Sequence, residues 1–176
     1  MKSLILIMGL IISVPLLTSC SKNTDQVIED KPTDIQMEVK SGQIVTADNQ
    51  FGLEIFQTLN AELEQGKNLM ISPLSISLAL AMVYNGAEAD TKTQMEAMLH
   101  KNGLDPGQIN QVYKDLVEAL ASHDPKVTLS IADAIFYRDD FSVKSDFIST
   151  NRTYYNAEVV ALDFSNEQST LSRVNG

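Results

Sequence analysis

The sequence lacks the residues that cross-link a chain and those that bind phosphate backbones. It contains one cysteine and no tryptophan in 176 residues, so a disulfide within the chain is excluded. Basic residues are scarce, with 13 Lys and Arg against 23 Asp and Glu and a formal net charge of −10. Because nucleic-acid binding depends on an excess of basic side chains, we expect no nucleic-acid partner.

Familiar catalytic and cofactor motifs are missing as well. The sequence has no G-x-G-x-x-G, Walker loop, H-E-x-x-H, C-x-x-C or G-x-S-x-G pattern, which removes the local geometry of the common phosphate, metal and serine chemistries. Both histidines, His100 and His123, fall at predicted helix ends, where imidazole can interact with terminal carbonyls. We therefore predict no catalytic residue, no cofactor, no metal site and no enzymatic activity.

The first 20 residues have the layout of an export signal. Lys2 precedes an apolar stretch at residues 4–17, which is shorter than the roughly 18 apolar residues of a membrane-spanning helix. The sequence LTSC at residues 17–20 resembles a bacterial lipobox, which implies a lipid on Cys20. We predict a lipoprotein signal peptide at residues 1–19 and an anchored protein in a bacterial cell envelope, facing the periplasm or the cell exterior. The alternative is a cleaved secretory peptide with an incidental cysteine.

Residues 20–44 form the next compositional unit. They are polar and show neither a helical nor an alternating apolar pattern. We interpret this segment as a tether that holds a folded domain away from the membrane surface.

Helical periodicity begins after the tether. Phe51, Ile55, Leu59 and Leu63 recur every four residues and predict an amphipathic helix over residues 47–65 with this stripe buried. A second helix is predicted from Ser72-Pro73, with Ser72 as its cap; it is apolar all round and should be central.

Three further local signals predict the following helices. Asn85-Gly86 predicts a left-handed cap that ends the second helix. Thr91 and Gln94 predict a capping box for a third, and Asp105-Pro106 predicts the start of a fourth. Met70, Met82, Met95 and Met98 are interpreted as core packing.

Alternation then replaces helical spacing. Residues 127–137 alternate apolar and polar side chains and predict a strand, followed by a helix at 142–155, a strand at 158–164 and the start of a helix at 167–176. Asp133 interrupts the apolar face, so we expect it at a polar seam or near water, in a structural role. Residues 151–153 fit a glycosylation acceptor, which we interpret as a chance match.

Two segments carry a resemblance to a known family. The sequence NLMISPLSISLALAMVYNGAEADTKTQMEAML at residues 68–99 resembles the helix B to helix C signature of serpins, and IADAIFYRDDFSVKSDFISTNRTYYNAEVVALDF at 131–164 resembles the strand 2A, helix E and strand 1A succession. The resemblance covers about residues 45–176. One departure is Asp133, where the family usually has Asn.

The resemblance implies an α+β fold. Residues 45–176 would be the N-terminal portion of a serpin-like domain, with helices A to E, strands of sheet A and the start of helix F. Ser72 and Ser75 match positions that help form the shutter beneath sheet A, where small hydroxyls permit strand separation. Helix D, at about 106–121, carries Lys114 against Asp115 and Glu118, so no polyanion cofactor is expected.

The function implied is suicide inhibition of a serine or cysteine protease, in which a cleaved loop inserts into sheet A. The 176 residues are expected to stop before that reactive-centre loop and not to inhibit alone. The alternative is an envelope-anchored binding or scaffold module without inhibitory activity. A hydrolase with dispersed catalytic residues is a third and less favoured hypothesis.

Overall fold

A computed structural model describes residue 35, residues 41–64 and residues 66–175. The predicted signal peptide and Cys20 lie outside these residues. The described residues form six helices and two strands: α1 (Ser41–Glu62), α2 (Pro73–Tyr84), α3 (Ala89–Met98), α4 (Pro106–Ser122), β1 (Ala134–Arg138), α5 (Ser145–Tyr155), β2 (Glu158–Leu162) and α6 (Glu167–Val174). Over the same ranges, no helix combines the length and apolarity needed to cross a membrane.

Helix α1 begins six residues before the predicted start. Its first turn takes up residues 41–44 of the segment interpreted as tether, and Ser41 and Ile44 are both buried. The predicted apolar stripe is buried only in its first part. Phe51 is 5% exposed, whereas Leu59 is 37% exposed, because the described residues leave the second half of the helix uncovered on that side.

Helix α2 occupies the centre, as its apolar circumference predicts. Ser72 caps it and Pro73 is its first residue, and Leu78 and Ala81 are completely or almost completely buried. The core around them combines side chains of α1, α2, α4, α5 and β2. Helix α2 packs directly against α1 and α5.

The turn between α2 and α3 corrects two predictions. Asn85 ends α2 in a right-handed conformation, not a left-handed one. Gly86 is required instead by close packing, since a Cβ there would lie 2.9 Å from Cε2 of Phe147. The chain re-enters a helix at once with Glu88 as the N-cap. Thr91 therefore lies inside α3, and the predicted capping box does not form.

Helix α4 follows its sequence signal closely. Asp105 caps it by accepting a hydrogen bond from the backbone N–H of Gln108 at 2.9 Å, and Pro106 is its first residue. Ile109, Val112 and Tyr113 are buried at the three-four spacing. The polar side of the helix faces solvent.

The sheet has two parallel strands joined by α5. The register runs from Ala134 opposite Glu158 to Arg138 opposite Leu162. The predicted strand at 127–137 is therefore too long at its beginning. The backbone oxygen of Asp133 accepts a hydrogen bond of 2.9 Å from the N–H of Glu158, but residues 127–132 pair with no strand among the described residues, and Val127 is 60% exposed. An extended segment without a partner makes no ladder.

The methionines divide into two pairs, so the core interpretation is only half correct. Met82 is buried and Met95 packs against the core, whereas Met70 is 95% and Met98 is 46% exposed. The chance interpretation of the sequon at 151–153 agrees with the packing, because Asn151 is fully buried.

Candidate functional site

Ser72 and Ser75, the two shutter-like residues, lie together at the start of α2. Their hydroxyl oxygens are 2.8 Å apart, and Ser72 Oγ also accepts a hydrogen bond from the backbone N–H of Ser75 at 3.4 Å. Both residues are exposed. Within the described ranges the pair contacts no further polar side chain, so its local role is the helix cap, and the shutter role stays a prediction.

A buried amide network holds the opposite end of α2. Asn85 and Asn110 exchange two hydrogen bonds of 3.1 and 2.9 Å, which join α2 to α4. Asn85 Nδ2 also donates to Asn151 Oδ1 on α5 at 3.4 Å. The Tyr155 hydroxyl donates to Asn110 Oδ1 at 2.6 Å, and burial raises the pKa of Tyr155. Three helices are thus fixed by neutral groups that satisfy one another.

A second polar network contains a buried charge. Lys101, which is 1% exposed, places Nζ 2.6 Å from Asp48 Oδ1 on α1. The same oxygen accepts a hydrogen bond of 2.7 Å from the Tyr113 hydroxyl on α4. Lys101 Nζ also lies 5.4 Å from the centroid of the Tyr113 ring. Burial, followed by the nearby Asp48 charge, raises the pKa of Tyr113, so this tyrosine remains a neutral donor.

The two histidines have different surroundings. His100 Nε2 lies 2.8 Å from Glu54 Oε2 on α1, so the prediction that it interacts with helix-terminal carbonyls is wrong. Its backbone leaves α3 in the left-handed region with φ of 55°, which directs the side chain back to α1. His123 lies at the C-cap of α4, at the helix end that the sequence predicts. Its buried Nδ1 has no hydrogen-bond partner among the described residues, so the predicted interaction with terminal carbonyls is not seen here either.

These contacts contain no catalytic pair. Among the described residues neither imidazole forms a hydrogen bond with a hydroxyl, and no three His, Cys, Asp or Glu side chains converge to hold a metal ion. The polar groups instead join helices to one another.

Sequence reasoning missed the residues that carry both networks. Lys101 lies in a polar loop, and a lysine there is expected to face solvent. Asn110 lies beside apolar residues on α4, and no sequence pattern shows whether it is buried with them. In the sequence, Asn151 stands out only as the first residue of the sequon at 151–153. The available signal was the interruption of an apolar helical face by Asn110, between Ile109 and Val112.

Comparison with known proteins identifies the family. The model of the family described as Serpin (serine protease inhibitor) matches residues 46–176. Similar proteins include the leukocyte elastase inhibitor of Bos taurus, 33% identical over 69% of this chain and 31% of its own length. Iripin-1 of Ixodes ricinus is 32% identical over 76% of this chain and 34% of its own length. The chain thus spans about a third of the length of these relatives.

Solved structures show the same fold. A cleaved Serpin 42Da is similar with a TM-score of 0.66 and 26% identity over 77% of this chain and 36% of that one. Mouse protein-Z dependent protease inhibitor gives a TM-score of 0.69 at 22% identity over 77% of this chain and 37% of that one. The likeness confirms an α+β fold whose described part is incomplete relative to these proteins.

Proposed function

This chain belongs to the serpin family, and we propose that its residues form the N-terminal part of a protease inhibitor that acts by loop insertion and not by catalysis. The observation that carries the proposal is the family match over residues 46–176, shared with relatives that are themselves named as inhibitors. The partner would be a serine or cysteine protease.

The mechanism follows from what the family resemblance implies. A protease attacks an exposed loop, and the cleaved loop inserts as a strand into the main sheet before the acyl-enzyme hydrolyses. In this chain β1 and β2 correspond to two strands of that sheet. Ser72 and Ser75 would lie beneath it, where small side chains let neighbouring strands separate.

The 176 residues alone are proposed not to inhibit. In the family the reactive-centre loop follows the portion that resembles this chain, and the match spans about a third of the relatives' length. Apolar side chains such as Val127 and Met70 are exposed in the described part, which weighs against an independent scaffold module.

A segment exchange tests the proposal directly. The matching region of the bovine leukocyte elastase inhibitor is replaced by the corresponding residues of this chain, and the chimera is incubated with an elastase. We expect a complex that resists denaturing detergent, as with the parent inhibitor. A chimera that folds cooperatively but is only cleaved as a substrate would contradict the proposed role of this segment.

The 176-residue chain provides the second half of the test. It is incubated with a panel of serine and cysteine proteases under the same conditions. We expect no detergent-resistant complex, because the bait loop lies outside the matched third. Formation of such a complex by this chain would refute the claim that it does not inhibit alone.

The anchor is a separate proposal that rests on the lipobox-like residues 17–20. Lipidation of Cys20 would place the protein on a bacterial membrane, facing the periplasm or the cell exterior. Mass spectrometry of the N-terminal peptide from bacterial membranes should show acyl mass on Cys20, and Cys20→Ser should release the protein from the membrane fraction. An unmodified Cys20 would refute it.

A further inference from the structure

A cavity of about 370 Å³ lies where α4, the end of α5 and the residues before β1 meet. Leu78, Val117 and Ile131 form apolar parts of its wall. Its volume falls within the range of small-molecule sites, which combine an apolar lining with a few polar groups that fix orientation. None of the proposed inhibitory steps uses this cavity.

The first polar group on the wall is the carboxylate of Asp133. It is half-buried, and it forms no hydrogen bond or ion pair with any residue that the structure describes. Desolvation raises its pKa. A carboxylate that has lost water without gaining a partner favours a cationic donor in the space beside it. Glu118 of α4 adds a second acidic side chain to the wall.

Cationic groups also line the cavity. Lys114 lies one helical turn before Glu118, is half-buried, and has no ion pair within the described ranges. Arg152 of α5 is held in place because one of its terminal nitrogens donates to the backbone oxygen of Val159 at 2.9 Å. Its other N–H groups stay available for an anion.

We propose that this cavity binds a small zwitterion that has an apolar side chain, such as a short apolar peptide. The ammonium group would lie at Asp133 and Glu118, the carboxylate at Lys114 and Arg152, and the side chain against Leu78. The cavity wall has acidic and basic side chains that lack ion-pair partners. A zwitterion can pair with both kinds, whereas a simple amine or a simple acid can pair with only one. The site is independent of the proposed inhibitory function.

The probe is the dipeptide L-leucyl-L-leucine, compared with its N-acetylated form and its C-terminal amide. Binding to the full chain is measured by isothermal titration calorimetry. We expect saturable binding with one site per chain. Each blocked dipeptide should bind about tenfold more weakly, which is the usual effect of losing one charge-assisted hydrogen bond.

Two variants assign the two ends of the ligand. Asp133→Asn introduces the residue usual in the family, and it should weaken the dipeptide and its amide while leaving the N-acetylated form unchanged. Lys114→Gln should weaken the dipeptide and its N-acetylated form while leaving the amide unchanged. The matched control is Asp115→Asn, which removes a charge beside Lys114 from a residue outside the cavity wall and should change nothing.

Three outcomes would overturn the assignment. The first is no saturable binding by the folded chain up to about 10 mM dipeptide, about ten times the dissociation constant of a weak, 1 mM ligand. The second is equal affinity for the three dipeptides. The third is an Asp133→Asn variant that folds, judged by circular dichroism, and binds the unblocked dipeptide as tightly as the parent.

Discussion

Replacing Lys101 by Met should destabilise the fold more than any other single loss of a lysine charge among the described residues. Lys101 is 1% exposed and lies 2.6 Å from Asp48, whose side chain is 15% exposed. Removing the cation leaves a largely buried carboxylate with only the Tyr113 hydroxyl as donor. Breaking a buried pair from one side costs about 3–5 kcal/mol, so we expect a loss in that range.

The measurement is urea unfolding of the full chain followed by circular dichroism, with the free energy taken by linear extrapolation. The control is Lys126→Met, at an exposed lysine whose side chain has no ion pair among the described residues. That control should change stability by less than about 0.5 kcal/mol. The double variant Lys101→Met, Asp48→Leu removes both charges and should recover part of the loss. The remainder is the cost of leaving the buried Tyr113 hydroxyl without its acceptor.

The double variant also decides between two explanations of the loss. If the cost comes from the uncompensated Asp48 charge, the two substitutions are strongly non-additive. If Lys101 acts only through the packing of its aliphatic stem, Met replaces that stem and the single variant is nearly neutral. A loss below about 1 kcal/mol for Lys101→Met would refute the assignment of a buried, mutually dependent pair.

Three further predictions concern packing and pH. Gly86→Ala should cost about 1–3 kcal/mol, measured by urea unfolding, because its Cβ would lie 2.9 Å from Cε2 of Phe147. Asp133→Asn should raise the free energy of unfolding at neutral pH, and this gain should disappear in acid. The reason is that burial raises the folded-state pKa of Asp133, so the ionised carboxylate disfavours folding and the protonated carboxyl does not. The hydrogen bond from His100 lowers the pKa of Glu54, so the Glu54 contribution to stability is present above its unfolded pKa and disappears as the pH falls through its folded pKa. In His100→Gln, NMR titration should show the pKa of Glu54 moving upward, and an unchanged value would contradict the pairing.

The helices that the sequence predicts well are those whose ends have local chemistry. Ser72-Pro73 and Asp105-Pro106 each place a side-chain acceptor before a residue that needs no hydrogen bond at the first helical position. The start of α1 has no such signal, and the apolar periodicity predicts it at residue 47, six residues too late. Its first turn is specified by the burial of Ile44 against the core, which is a tertiary effect.

The polar networks could not be predicted because their partners are distant along the chain. Asp48 and Lys101 are 53 residues apart, and Asn110 and Tyr155 are 45 apart. Nothing local distinguishes these side chains from solvated ones. The role of Gly86 could not be predicted for the same reason. A side chain at this position is excluded by Phe147 on α5, which is distant along the chain, and not by the conformation of the turn.

Where the predicted burial differs from the structure, the apolar side chains are more exposed than the sequence pattern indicates. The second half of the predicted α1 stripe, Met70 and the first part of the predicted strand at 127–137 each leave apolar side chains exposed in the described structure. An alternating or helical apolar pattern records what a segment packs against in the folded protein. Related inhibitors have about two thirds of their length outside the matched region. The sequence pattern therefore indicates a more extensive apolar core than the one that the described residues form.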